Sequence, residues 1–236
     1  SELKGLKPFH LLDLRFMHDY MDSIYGMTTV NHDHLFSYLL TRYPSNHIGE
    51  NDFKNRAFLA VEKLRASGIT NIHTSLAQKQ FYLLTDDRHD KYDAFIQAAS
   101  SRGLISLNNG VITKNRRLFT QIYDFHTIRK DNIIEVIKNE IEPLEVLTRE
   151  LNRIMRQPPC WIRRKIRRHF IKLDRELFEK DYSEYYIPGE SKPKEIGRPF
   201  HLKHFFSRRG FIMVHGYMAA PEEIRPLADF IYRNGY

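Results

Sequence analysis

Cysteine is almost missing from this sequence. Cys160 is the only one, which excludes a disulfide framework and fits a reducing compartment. It follows Gln157-Pro158-Pro159 with no histidine close in sequence, so it is a poor nucleophile. No apolar run approaches 18 residues, which excludes a membrane-spanning helix. There is no Gly-rich phosphate loop, dinucleotide fingerprint or Cys/His zinc spacing, so no cofactor and no metal is expected. Internal repeats and a signal peptide are absent, and the first residue is Ser, so the start is expected to be a cut end. What is present suffices for one or two packed domains: 42% hydrophobic residues, 13% of the chain aromatic, over 236 positions.

The net charge of +8 is concentrated in one element. Residues 153–180 hold ten Lys and Arg against Asp174, Glu176 and Glu179, and the rest of the chain is close to neutral. Trp161, Ile162, Ile166, Phe170, Leu173 and Leu177 recur there at helical spacing. An aromatic at the start, an apolar stripe and a polybasic flank suit a helix lying on an anionic membrane surface. Trp161, Arg163, Arg164, Lys165, Arg167 and Arg168 are the expected membrane-binding residues. An ordinary amphipathic helix with a solvated basic face, and nucleic-acid contact, are the alternatives.

The first 29 residues carry Leu6, Phe9, Leu11, Leu12, Leu14, Phe16 and Met17 without a clean period and read as the tail of an upstream domain. Helices are expected over 30–40, 53–66 and 90–101, the last two stopped by Gly68 and Gly103. One or two strands are expected around Phe81–Leu84. Leu104–Leu107 and Val111–Thr113 flank Asn108-Asn109-Gly110 as a hairpin. Helices followed by a hairpin make a winged-helix-like order, which raises DNA binding. The helix before the hairpin opens Asp90-Lys91-Tyr92-Asp93 rather than with base-reading side chains, which argues against that role.

Ile133, Ile137, Ile141, Leu144, Leu147, Leu151 and Ile154 step by three or four and predict one long helix, or two meeting at Pro143. In its order and in the Arg129–Leu144 run, the region 30–156 resembles the part that follows the catalytic core of bacterial glycerolipid acyltransferases. Some of those chains are fused to a C-terminal hydrolase. The resemblance implies a His-x-x-x-x-Asp catalytic pair upstream of Ser1. Among such spacings inside this sequence, His47 with Asp52 and His126 with Asp131 lack the Phe-Pro-Glu-Gly-type segment the family carries, and chance alone supplies about one. His32-Asp33-His34 has no third metal ligand nearby, and Asp33 suits a helix start better.

Residues 181–199, aperiodic with three prolines, read as a linker. After it, Phe200-His201-Leu202 and Phe205-Phe206 are expected to begin packing on a sheet. Gly210 then precedes an apolar run, Phe211–Val214, that reads as a strand buried on both faces. His215-Gly216 gives a sharp turn, and Pro221 shapes a second one. Pro226 is expected at the first position of a helix with Leu227, Phe230 and Ile231 on one face, stopped by Asn234-Gly235.

This strand–turn–helix run resembles the opening of α/β-hydrolases of the esterase, lipase and lysophospholipase type. The resemblance implies that His215 and Gly216 set the turn while the Tyr217 amide helps form an oxyanion hole, worth about 3–4 kcal/mol of barrier per donor. It also requires Gly-x-Ser-x-Gly, then an acid, then a histidine. No Gly-x-Ser-x-Gly occurs, so the nucleophile is expected beyond Tyr236 and the fragment itself is expected to be inactive.

The expected fold is thus mostly α with a small winged-helix-like α+β unit over 30–120. Long helices including the basic one fill 121–180, and the truncated start of an α/β-hydrolase occupies 200–236. The expected protein is a cytoplasmic ester hydrolase of lipid metabolism, peripheral to the inner face of the membrane and fused to an acyltransferase. Its partners are then a lipid or acyl-ester substrate and an anionic membrane surface, with nucleic acid disfavoured. A tethering or interaction module without chemistry of its own is the alternative.

Overall fold

A computed structural model describes residues 8–68, 71–85, 91–124, 127–203 and 210–235. The chain divides into two compact units, 1–163 and 164–236. In the first, α1 (Pro8–Gly26), α2 (His32–Arg42), β1 (His47–Gly49), α3 (Glu50–Ala66) and α4 (Thr74–Ala77) precede a 3-10 turn, Phe81–Leu84. Then come α5 (Lys91–Ser101), β2 (Ile105–Asn108), β3 (Val111–Lys114), α6 (Arg116–Thr120), α7 (Thr127–Asp131), α8 (Ile133–Asn139) and α9 (Glu145–Met155). The unit boundary falls inside α10 (Pro159–Tyr185); α11 (Lys194–Gly197) and α12 (Pro221–Arg233) follow.

The core of the first unit grows from the apolar periods of its helices. Helix α2 starts where Asn31 Oδ1 accepts the His34 N–H and His34 Nδ1 accepts the Asn31 N–H, both at 3.1 Å. Its Leu35, Phe36, Leu39 and Leu40 meet Phe53, Ala57, Val61 and Leu64 of α3, all buried. Helix α5 adds Tyr92 and Phe95, whose ring centroids lie 6.1 and 5.3 Å from that of Phe36. The tilted and edge-on packing suits the charge distribution of aromatic rings.

The expected hairpin forms. Asn109 at φ 49° and Gly110 at φ 71° make the left-handed turn that joins β2 to β3 with the right twist. A third strand, β1, pairs antiparallel with β3 (His47 with Thr113, Ile48 with Ile112), giving the order β1-β3-β2. Ile48 and Ile112 face inward and are fully buried. Phe81–Leu84 is a 3-10 turn instead of a strand. The Gln80 amide donates to Ser75 O at 2.7 Å and Gln78 O at 2.8 Å, which curls the segment before any partner strand could meet it.

The Ile133–Ile154 stripe lies on separate helices, and the break before it has a polar cause. Buried Asn132 accepts the Glu135 N–H at 3.2 Å and donates to Leu118 O at 3.0 Å, ending α7 and starting α8. Residues 140–144 around Pro143 then separate α8 from α9. Arg56 of α3, only 2% exposed, donates to Ile154 O (2.6 Å), Met155 O (3.2 Å) and Gln157 O (2.9 Å), and pairs with Asp52 at 2.8 Å. It closes the C-terminus of α9, where carbonyls are left without helical partners.

In the second unit the stretch expected as a linker is partly helical and held by charge. Helix α10 continues to Tyr185, and Glu179 pairs with Lys194 and with Arg198. Phe211–Val214 forms no strand: a buried parallel strand needs neighbours on both sides, and the described residues offer none. Pro221, not Pro226, takes the first helical position of α12. The Ala220 N–H donates to Glu223 Oε1 at 3.1 Å and fixes the start there, leaving Pro226 inside the helix. Gly235 at φ 89° ends the helix as expected. Phe205-Phe206 lie outside the described residues.

Candidate functional site

In the segment before α12 the amides of residues 212–218 have no acceptor among the described residues, and that of Tyr217 sits on a turn. Gly216 O accepts the Ala219 N–H at 3.1 Å across Tyr217 and Met218, and Met218 sits at φ 61°. That is the pattern of a type II turn, with a methionine where glycine is normally required. Among the described residues the Tyr217 N–H has no acceptor, and its side chain is 98% exposed. The His215 ring lies 3.1 Å from Gly216 O, bracing the turn from its own side. Lys192 Nζ at 2.6 Å holds the Glu223 carboxyl below its ordinary pKa, with the Ala220 amide and His215 adding to the effect.

Beside the turn lies a cavity of about 560 Å³ whose walls include Phe200, Leu202, Phe211, Met213, His215 and Ile224. Ile212 is 96% exposed, and Leu227 and Phe230 of α12 also face outward, while Ala228 is covered. Apolar side chains therefore stand on both sides of this small unit. The turn can offer the Tyr217 and Met218 N–H groups to an anionic oxygen; His215, Gly216 and Tyr217 have no serine, cysteine or acid arranged as a nucleophile and base among the described residues.

Helix α10 separates the residues expected to act together. Ile162 and Ile166 are buried, and Phe170 and Leu173 half-buried, so the front of the apolar stripe is spent within the protein. Trp161, 62% exposed, faces outward with Arg163, Arg164 and Arg168, while Lys165 and Arg167 are half-buried. A membrane would therefore meet charge and one indole rather than a continuous greasy face.

A groove that the sequence reading did not single out opens at the corner between α9 and α10. It encloses about 840 Å³ within 145–161 of the first unit, with Glu145, Arg149, Asn152, Arg153, Arg156 and Trp161 on its walls. Gln157 also lines it, and its Oε1 is buried without a hydrogen-bond partner. The i, i+4, i+7 spacing of Arg149, Arg153 and Arg156 was the available signal, hidden because it spans the edge of the basic stretch.

The remaining polar candidates are absorbed by structure. His32 is buried within 2.8 Å of Gln80 Oε1 and of Tyr82 OH, and 3.3 Å from Ser75 Oγ. His34 Nε2 instead meets Glu140 at 3.0 Å, so the two histidines of the His-x-His turn to different partners. His47 pairs with Thr113 Oγ1 at 3.1 Å, whereas Asp52 holds Tyr43 OH and Arg56. His126 lies outside the described residues. Among the described residues no group of three or more His, Cys, Asp or Glu gathers to hold a metal ion, and no helix is long and apolar enough to cross a membrane.

No protein-family model, no curated protein and no solved structure matches this chain.

Proposed function

We propose that this chain is a segment of a membrane-peripheral protein of lipid metabolism, and that residues 200–236 are the opening unit of a serine carboxylic-ester hydrolase. In this reading Tyr217 N–H is one oxyanion donor, and His215 and Gly216 shape its turn. The serine nucleophile, the acid and the histidine come from sequence beyond Tyr236. An upstream acyltransferase and a place on the inner face of the cytoplasmic membrane complete the reading. The observation that carries it is the unpaired Tyr217 amide on a turn strained at Met218, framed by apolar Phe211–Val214 and by outward Leu227 and Phe230. A strand and helix of a larger parallel sheet would keep such faces for their neighbours.

Two experiments test it. An extended chain that adds the downstream coding sequence hydrolyses short-chain acyl esters, and the present 236 residues do not. No hydrolysis at all by the extended chain ends the hydrolase reading, while hydrolysis that survives a Gly216→Val change removes only the oxyanion role of the 215–217 turn. For the membrane part, reversing Arg163, Arg164, Arg167 and Arg168 to Glu abolishes co-sedimentation with anionic vesicles, since each basic residue near such a surface is worth about 1 kcal/mol.

A second reading is favoured by one observation in the first unit. Helix, strand, helices and hairpin with the sheet order β1-β3-β2 support a winged-helix-like interaction module over 30–120. The outward face of α5 carries Lys91, Asp93, Ala94, Gln97 and Ala98, small and near neutral, which suits a protein surface better than a DNA groove. Retardation of duplex DNA by the chain, sensitive to Lys91 and Gln97, would reverse that preference.

A further inference from the structure

The basic groove at the α9–α10 corner has the chemistry of a phosphate site. Arg149 and Arg156 have no acidic partner among the described residues, and only Arg153 is paired, to Glu150 at 2.6 Å. Against the three guanidinium groups stands one acid on the walls, Glu145. Planar guanidinium groups are the side chains best matched to phosphate oxygens, through paired N–H donors. Trp161 closes the rim with an indole suited to a boundary between water and acyl chains.

The floor is rigid. Arg56 ties Ile154 O, Met155 O and Gln157 O together from behind, so the backbone that carries the groove is fixed before a ligand arrives. A preformed site avoids the ordering cost that a loose cluster of surface arginines would incur.

We infer that this groove, made by Arg149, Arg153, Arg156 and Trp161, binds the phosphate of a phosphoester, with an anionic glycerophospholipid headgroup as its source. The inference deepens the membrane reading and rests on it for the lipid source. The phosphate chemistry of the groove stands apart from the ester hydrolase.

Trp161 is the only tryptophan in the chain, so its emission reports directly on the groove. The test titrates the full chain with vesicles of phosphatidylglycerol in phosphatidylcholine, with phosphatidylcholine alone, and with soluble glycerol phosphate. The expected result is a blue shift with the phosphatidylglycerol vesicles only. Arg149→Gln with Arg156→Gln then weakens partitioning roughly 20-fold, at about fivefold per basic residue. Arg167→Gln with Arg168→Gln, outside the groove, serves as the comparison. If those changes weaken vesicle binding while the Arg149 and Arg156 changes do not, the membrane reading stands and the groove is overturned. A response to glycerol phosphate that needs Arg149 and Arg156, without one to vesicles, keeps the phosphate site and removes its lipid source. No response to any ligand, with circular dichroism unchanged between variants, overturns the site itself.

Discussion

The two units of this chain differ in how they treat their apolar residues. In the first, the side chains that recur at helical spacing on α2, α3 and α5 are covered, and the hairpin closes over them. In the second, Phe211, Ile212, Val214, Leu227 and Phe230 face outward, and charge pairs such as Lys192–Glu223 and Arg198–Glu179 supply much of the organisation. A segment can thus have the apolar content of a core without having a core. Surface ion pairs of that kind contribute little each.

The contrast makes the first unit the place where substitutions hurt. Phe53→Ala is expected to cost about 3–5 kcal/mol, through the cavity it leaves between Phe36 and Tyr92. Arg56→Met should cost a similar amount, about 3–5 kcal/mol, because it strands three carbonyls and the Asp52 charge. Urea unfolding followed by circular dichroism measures both. A loss below 1 kcal/mol for either would erase the difference between the units. Gly110→Ala comes next, at about 1 kcal/mol or somewhat more, because its φ of 71° strains any side chain.

A smaller effect in the first unit depends on pH. Burial pushes the Glu142 carboxyl up, but hydrogen bonds and charge from Lys138 and Arg42 outweigh it and leave the pKa below the ordinary value of 4.5. A depressed folded-state pKa stabilises above the unfolded value, and that stabilisation is lost as pH falls through the folded one. Because the carboxylate is more than a third exposed, screening limits the contribution to about 0.5 kcal/mol. Glu142→Gln should therefore lower stability at neutral pH, and the difference should shrink as the pH falls below 4.5, in parallel urea titrations. The smallest effect belongs to the second unit. Leu227→Ser and Phe230→Ser should each change the stability of this chain by less than about 0.5 kcal/mol. A larger loss would mean that those side chains already have a core.

Much of the first unit was legible because α2, α3 and α5 repeat their apolar residues, and the last two end on a recognisable signal at Gly68 and Gly103, whereas α1 lies in a stretch without a clean period. The Asn109-Gly110 turn was equally plain. Strand β1 was not, since three residues cannot show an alternation and Pro44-Ser45-Asn46 announces a turn. The break at Asn132 depends on a carbonyl fourteen residues away, which no local pattern reveals. The start of α12 turned on which of two prolines held the first position, and the Glu223 side chain decided it. Of the candidate sites, the His215–Tyr217 turn was visible through motif order. The arginine groove was not, because half of what makes it a groove is the bend imposed from α3.

That bend gives Arg56 a second role. It is not on the walls of the open cleft, yet its guanidinium reaches the carbonyl of the wall residue Gln157, 101 positions along the chain, between the three outward arginines and the indole. Variation at position 56 would therefore act on the fold and on the shape of the groove together. Heredity at this surface is written partly in a residue that no ligand ever meets.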